Sequence, residues 1–459
     1  MHDAVDAAIV GMDANGDGVA VVNGRRVAVP FTITGERVRV RLPARVPSDR
    51  VARAELVEVD QPSPHRVRAP CRHFGPQPPR TLPCGGCTWQ HIAYPEQLRL
   101  KTDTVAQVVH AAVPGAPPPR PMLSAALDHP WGFRHKVHFV VGDSGGPRGR
   151  LMMGHLARGS RQLVPVEQCP VHAEAGNTVA FALRDACRRG GVRGWEPDKR
   201  TPSALRGVAV RVSHAGNETL ATIVAAHDRD RALRDATRHV FAKTPPTGLH
   251  LNLHDRDDGM IFGARTRRLS GVERLREVVA GVSFLISPTA FFQTNVAAAE
   301  LLVRLVLEAV PQDLPVLDLY AGAGLFALPL AQRGQAVTAV EANREAVGDG
   351  RASQRLNRIP DDRCRWVSAP VEVAVKKLRP SGAVVLDPPR EGCAPGVLNQ
   401  VFGGGEPVMA AYVSCNPDTL GRDLQSIVAH GYTVASVQPV DMFPHTPHIE
   451  TVVVLRFGL

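Results

Sequence analysis

Val316-Leu-Asp-Leu-Tyr-Ala-Gly-Ala-Gly-Leu-Phe326 decides the fold of this 459-residue chain. A short apolar run ends in a Gly-x-Gly turn, and a helix-forming segment continues to about Gln332. Strand, glycine turn and helix form the opening unit of a doubly wound sheet, where glycines let the backbone approach a ligand. The same rhythm runs onward. Strands are expected at 336–340, 383–386, 410–414, 432–434 and 451–455, with a helix near 343–357. Strands alternating with helices of this size predict an α/β, Rossmann-like, mostly parallel sheet over 286–459.

Glu341 ends the second strand, 23 residues past Asp318. An acid at that spacing accepts hydrogen bonds from the ribose of an adenosyl group, in NAD or in S-adenosylmethionine. Asp387-Pro-Pro-Arg390 follows another strand, and strand ends of this kind line the ligand crevice. In Tyr412-Val-Ser-Cys-Asn-Pro417, Cys415 stands between a strand and a helix start. A helix N-terminus lowers a thiol pKa, so Cys415 reads either as a nucleophilic thiolate or as a small buried hydrophobe. Glu450 interrupts an apolar strand start and is a candidate general base.

Towards the N-terminus the pattern changes. Runs at 19–22, 26–29 and 37–42 alternate with turn signals such as Asn23-Gly24, which predicts a small OB-like β-barrel over 1–62. Gln61-Pro-Ser-Pro-His-Arg66 reads as a linker. Residues 63–285 form a mixed α+β central domain, with a helix from Glu96 to about Ala112, strands near 137–141 and 208–212, and Pro/Gly clusters at 114–121 and 145–149. Cys71, Cys84, Cys87 and the distant Cys169 stand apart from the other four cysteines. Four thiolates suit a 4Fe–4S cluster or a tetrahedral zinc.

Charge divides along the chain. Residues 301–459 hold 14 basic and 16 acidic residues, whereas the whole chain is +10, so 1–300 carries +12. A basic part joined to a near-neutral part fits a nucleic-acid platform attached to a catalytic unit. No apolar run reaches membrane-spanning length and residues 1–20 lack Lys and Arg, so no membrane partner and a cytoplasmic location are expected. No feature points to an obligate protein partner, and a monomer is expected.

Phe291-Phe-Gln-Thr-Asn295, Asp318-Leu-Tyr-Ala-Gly322, Asp387-Pro-Pro-Arg-Glu-Gly392, Ser414-Cys-Asn-Pro417 and His448-Ile-Glu-Thr-Val452 occur in that order. Together they resemble the RNA (uracil-5-)methyltransferase family, and the likeness covers nearly the whole chain. The first 60 residues resemble that family's TRAM barrel. The resemblance implies methyl transfer from S-adenosylmethionine to carbon 5 of a uridine in structured RNA, ribosomal or transfer. It implies Cys415 as nucleophile and Glu450 as base. Gln293, Tyr320, Glu341 and Asp387 match positions that bind S-adenosylmethionine or order the site. Cys71, Cys84, Cys87 and Cys169 match the 4Fe–4S ligands. Leu325 departs from the Asn some members carry. Competing readings are a nicotinamide-dependent oxidoreductase with an iron–sulfur centre, an inactive RNA-binding protein, and an N-methyltransferase that needs no thiol.

Overall fold

The computed structural model describes all residues except 1–3, 44–50, 77–81, 145–149, 196–203, 215–217, 395, 404–405 and 459; the 145–149 Pro/Gly cluster therefore lies outside the described residues. The chain forms two compact units. One holds Met1–Leu100, Met153–Cys169 and Phe443–Pro447; the other holds Lys101–Met152, Pro170–Met442 and His448–Leu459.

In the first unit six strands pair in the order Ala52–Arg53, Arg25–Val29, Gly18–Val22, Val5–Met12, Arg37–Arg41, Glu55–Gln61. Period-2 alternation decides which side chains go inside: Val38 and Val40 enter the core while Arg37, Arg39 and Arg41 face outward. Asn23 and Gly24 both take positive φ, as a two-residue turn between twisted strands requires. The chain passes from one edge strand to the opposite edge across Ala54 alone, whose N–H donates to Ala28 O at 2.9 Å. Edges joined by one residue force the sheet to curl on itself, which gives the expected barrel. The proposed linker is fixed rather than free. Arg66 donates to the buried Glu36 carboxylate at 2.6 and 2.7 Å and to Phe31 O at 2.8 Å. Its prolines signalled irregular backbone correctly but said nothing of this ion pair.

The second unit holds the doubly wound sheet. Its strands are β1 (Val316–Leu319), β2 (Val337–Glu341), β3 (Cys364–Ser368), β4 (Ser381–Leu386), β5 (Glu406–Ser414), β6 (Tyr432–Val440) and β7 (Glu450–Phe457). They lie in the order β3-β2-β1-β4-β5-β7-β6, with only β7 antiparallel to its neighbours. Every residue of β1 is buried, as a central parallel strand covered on both faces demands. The part of a second, mixed sheet that lies in this unit runs Arg265–Gly271, Gly248–Leu253, Thr219–Ala225, Leu205–Val212, Lys136–Asp143 and packs against helix Glu174–Arg189, which in turn packs on helix Arg231–Lys243.

A hairpin, Leu275–Val279 with Val282–Ile286, leads into the loop that carries Phe291 and Gln293. Its outer edge is not left open. Helix Arg344–Leu356 satisfies it with side chains four residues apart: Ser287 N–H donates to Asp349 at 2.7 Å, Leu285 N–H to Ser353 Oγ at 2.9 Å and Ser283 N–H to Asn357 Oδ1 at 2.9 Å. Three alternate strand amides thus meet one helix face, which replaces a missing neighbour strand. The start of this loop is thereby registered against the helix that follows β2.

Candidate active site

Chemistry-bearing side chains gather at the carboxyl ends of β1, β2, β4 and β5. The backbone turns sharply after β1: Tyr320, Gly322 and Gly324 all have positive φ. A Cβ on Gly324 would come 2.9 Å from Leu328 and 3.0 Å from Trp366, whereas one on Gly322 would meet nothing within 4 Å. Gly324 therefore packs, and Gly322 opens onto space. The Gly322 N–H donates to Glu341 Oε2 at 2.9 Å, and Glu341 Oε1 accepts from Asn343 N–H at 2.6 Å. The acid at the end of β2 is thus held against the glycine turn. Burial and the nearby Cys393 push the Tyr320 hydroxyl well above its usual range.

Register brings the other pair together. Ser414 of β5 sits opposite Thr451 of β7, so the next residues outward, Cys415 and Glu450, come side by side. Asp387 follows β4, its N–H donating to Leu319 O at 3.3 Å. Asn416 caps helix Pro417–Val428 through Asp418 N–H, with Pro417 in the first turn. Asn416 Nδ2 and Thr419 Oγ1 also donate to Arg390 O at 3.0 and 3.2 Å, which ties the Asp387–Arg390 turn to the helix that follows Cys415.

Electrostatics correct one expectation. The Cys415 thiol is not lowered. Burial, then the neighbouring Glu450 and Asp387, push it up to about 12, with Arg390 opposing. Cys415 precedes the cap residue, so it stands outside the helix's first turn, where the dipole acts. Burial, then Asp387, hold Glu450 well above the usual carboxylate range. Burial lifts Asp387 to about 7. Asp318, fully buried, is raised strongly by burial and then by Asp387. Cys415, Glu450, Asp387 and Asp318 therefore share one desolvated, carboxylate-rich neighbourhood, with Arg390 as the cation that acts on both Cys415 and Glu450. Arg390 was legible as part of Asp-Pro-Pro-Arg but carried no assigned role. Gln293 belongs to neither group. It is buried on the loop before helix Val296–Ala309, whose cap Asn295 accepts from Ala298 N–H at 3.2 Å and donates to Met442 O at 3.1 Å.

Such a cluster has a stability cost. In the unfolded chain Asp387 ionises near 3.8, whereas folded it holds its proton up to about 7. Folding is therefore favoured below the unfolded value and loses stability as pH rises through the folded one. Asp387→Asn is expected to match the wild type near pH 3 and to melt higher at pH 8. The ceiling is roughly 4 kcal/mol, less wherever water reaches the carboxyl. Melting curves across pH check this, and a difference that does not grow with pH contradicts it.

Cys71, Cys84, Cys87 and Cys169 all fall in the first unit. A Cβ on Gly85 would come 2.9 Å from Leu156 O, so the Cys-Gly-Gly-Cys turn needs its first glycine. Burial pushes Cys84 up to about 11 and Cys87 up to about 12, and each also feels the charges of Cys71 and Cys169. The four thiols share a neighbourhood despite the 81 residues between Cys87 and Cys169. Among the described residues, no three His, Cys, Asp or Glu side chains are grouped to hold a single metal ion. No described helix is long and apolar enough to cross a membrane.

The model of the tRNA (uracil-5-)methyltransferase family matches residues 217–457. The chain belongs to this family. It is an S-adenosylmethionine-dependent RNA methyltransferase. An uncharacterised RNA methyltransferase of Gloeobacter violaceus is 34% identical, over 98% of this chain and 96% of its own length. One from Synechocystis is 32% identical, over 98% and 95%. The crystal structure of Pyrococcus abyssi tRNA (uracil-54, C5)-methyltransferase in complex with S-adenosyl-L-homocysteine superposes with a TM-score of 0.77 at 25% identity, covering 98% of this chain and all of that one. For this methyltransferase the nicotinamide reading falls.

Proposed function

We propose that this methyltransferase methylates carbon 5 of a uridine in structured RNA, ribosomal or transfer, through a covalent Cys415–uracil bond. The observation that carries this is the β5–β7 register that sets a thiol beside a buried carboxyl. Carbon 5 of uracil is too weak a nucleophile to take a methyl group unaided. Cys415 Sγ, once its proton has passed to solvent water, bonds to carbon 6 and turns the ring into an enolate whose carbon 5 is electron-rich. S-adenosylmethionine supplies an electrophilic methyl on a sulfonium. Carbon 5 takes that methyl as the methyl–sulfur bond breaks. Glu450 then removes the carbon 5 proton, the carbon 6–sulfur bond breaks, and the thiolate is restored. A carboxyl held above its usual range is the stronger base for that step. Glu341 and the Gly322 turn hold the ribose end of the donor, with Tyr320, Asp387 and Gln293 ordering the rest.

The target base has to leave its stack to reach Cys415. Phe291, 73% exposed beside buried Gln293, offers a face on which an unstacked base rests. The +12 of residues 1–300 supports phosphate binding with strong salt dependence. RNA carrying 5-fluorouridine at the target tests the route. Fluorine cannot leave as a proton, so a denaturation-stable protein–RNA complex containing one methyl is expected. A wild-type enzyme that methylates ordinary RNA yet forms no such complex contradicts the covalent route.

We further propose that Cys71, Cys84, Cys87 and Cys169 hold a 4Fe–4S cluster, a reading that rests on their donor chemistry. A tetrahedral zinc is the alternative that the same four-thiolate donor set suits. When bound, the cluster would cross-link Cys71, Cys84 and Cys87 to Cys169. Protein purified without oxygen is expected to be brown with about four irons per chain, and Cys87→Ser to lose both colour and thermal stability. A colourless wild type holding one zinc reverses the assignment.

A further inference from the structure

Arg211 is a fully buried cation outside the methyl-transfer machinery. It lies on Leu205–Val212, directly across the strand pair from Lys136. Like charges directly opposite one another destabilise a sheet, and a buried charge needs compensation. No carboxylate makes an ion pair with either among the described contacts. Their donors converge instead on one loop. Arg211 Nη2 donates to Ala290 O at 3.3 Å and to Phe292 O at 3.4 Å, while Lys136 Nζ donates to Ala290 O at 3.0 Å. Those two carbonyls flank Phe291, the exposed aromatic two residues before Gln293.

We infer that Arg211, seconded by Lys136, is a positioning residue that clamps the backbone on both sides of Phe291 and so fixes how this loop meets the target base. The inference rests on the proposed reaction for its consequence, but the clamp itself does not. A buried Arg211 with a half-buried Lys136 directly opposite is an unfavourable arrangement for a merely structural strand pair; Glu277 and Asp349 act on Arg211 and Glu345 on Lys136 from further away, whereas the loop carbonyls accept from both cations at hydrogen-bond distance. Asp349 holds the start of the same loop through Ser287, so the segment is fixed from both the mixed sheet and the catalytic domain's helix.

Arg211→Met keeps the side chain's bulk and removes its charge, and apolar replacement of a buried ion is commonly tolerated. With this variant, kcat/KM for RNA is expected to fall about 30-fold, since small misplacements of positioning groups carry losses of that order. Affinity for S-adenosylmethionine is expected to stay within about twofold. Phe291→Ala should lose a similar factor. The double variant should be little worse than either single one, because residues acting through one another are non-additive. A purely structural Arg211 would instead give losses that multiply, and that result overturns the inference. Lys136→Met should give a smaller loss of the same kind, and Arg211→Lys a partial rescue. Amide hydrogen exchange separates the clamp from the reaction. Faster exchange across 289–294 in Arg211→Met, with the catalytic sheet unchanged, supports the clamp even if no RNA substrate is methylated by the wild type. Unchanged exchange there overturns it.

Discussion

Cys415→Ala is expected to abolish methyl transfer, by on the order of 10⁴-fold or more, while binding of S-adenosylmethionine and RNA persists. The size of the effect follows from chemistry. Without the thiolate, carbon 5 never becomes electron-rich, and no other thiol neighbours Glu450 at the strand ends. Cys393, on the turn after Asp387, is buried and held near the Tyr412 hydroxyl, 3.8 Å away. It is raised to about 12 by burial and then by Asp423. Cys415 is raised as far, but it stands half-buried at the end of β5. Since its proton must leave before attack, the wild-type rate should climb with pH through the neutral range. Single-turnover methyl transfer, with calorimetry for the cofactor, separates loss of chemistry from loss of binding. Turnover retained by Cys415→Ala would remove covalent catalysis from the account.

Glu450→Gln is expected to stop the reaction one step later. The carbon 6–sulfur bond forms and the methyl arrives, but the carbon 5 proton has no acceptor. A methylated protein–RNA adduct should accumulate on ordinary uridine, with overall turnover down by roughly 10²–10⁴-fold. Glutamine keeps the shape of a side chain that is 4% exposed and removes a buried carboxyl, so the fold should hold. A denaturing gel with labelled RNA reads the adduct directly. Slow turnover without an adduct would place Glu450 before the covalent step and assign proton removal elsewhere.

These expectations draw on different parts of the sequence. The catalytic sheet was legible because parallel strands buried on both faces read as apolar runs and the glycine turn punctuates them. β3 was missed, since Cys364-Arg-Trp-Val-Ser368 alternates polar and apolar residues around Trp366, as a sheet-edge strand does. The register that joins Cys415 to Glu450 was not readable, because it arises from β7 running antiparallel between β5 and β6. The thiol's electrostatics were misjudged for the same reason: helix position is a local signal, whereas Glu450 and Asp387 arrive through tertiary pairing. Arg211 left no trace at all. Within Val208-Ala-Val-Arg-Val212 it looks like a strand arginine, and the carbonyls of a loop some 80 residues later, with the more distant Glu277 and Asp349, are what meet its buried charge.

The most direct test is nucleoside analysis of an RNA transcript incubated with the pure enzyme and methyl-labelled S-adenosylmethionine. The label is expected entirely in 5-methyluridine at one site. Label on a base nitrogen, on ribose, or at carbon 5 of cytidine would contradict the account.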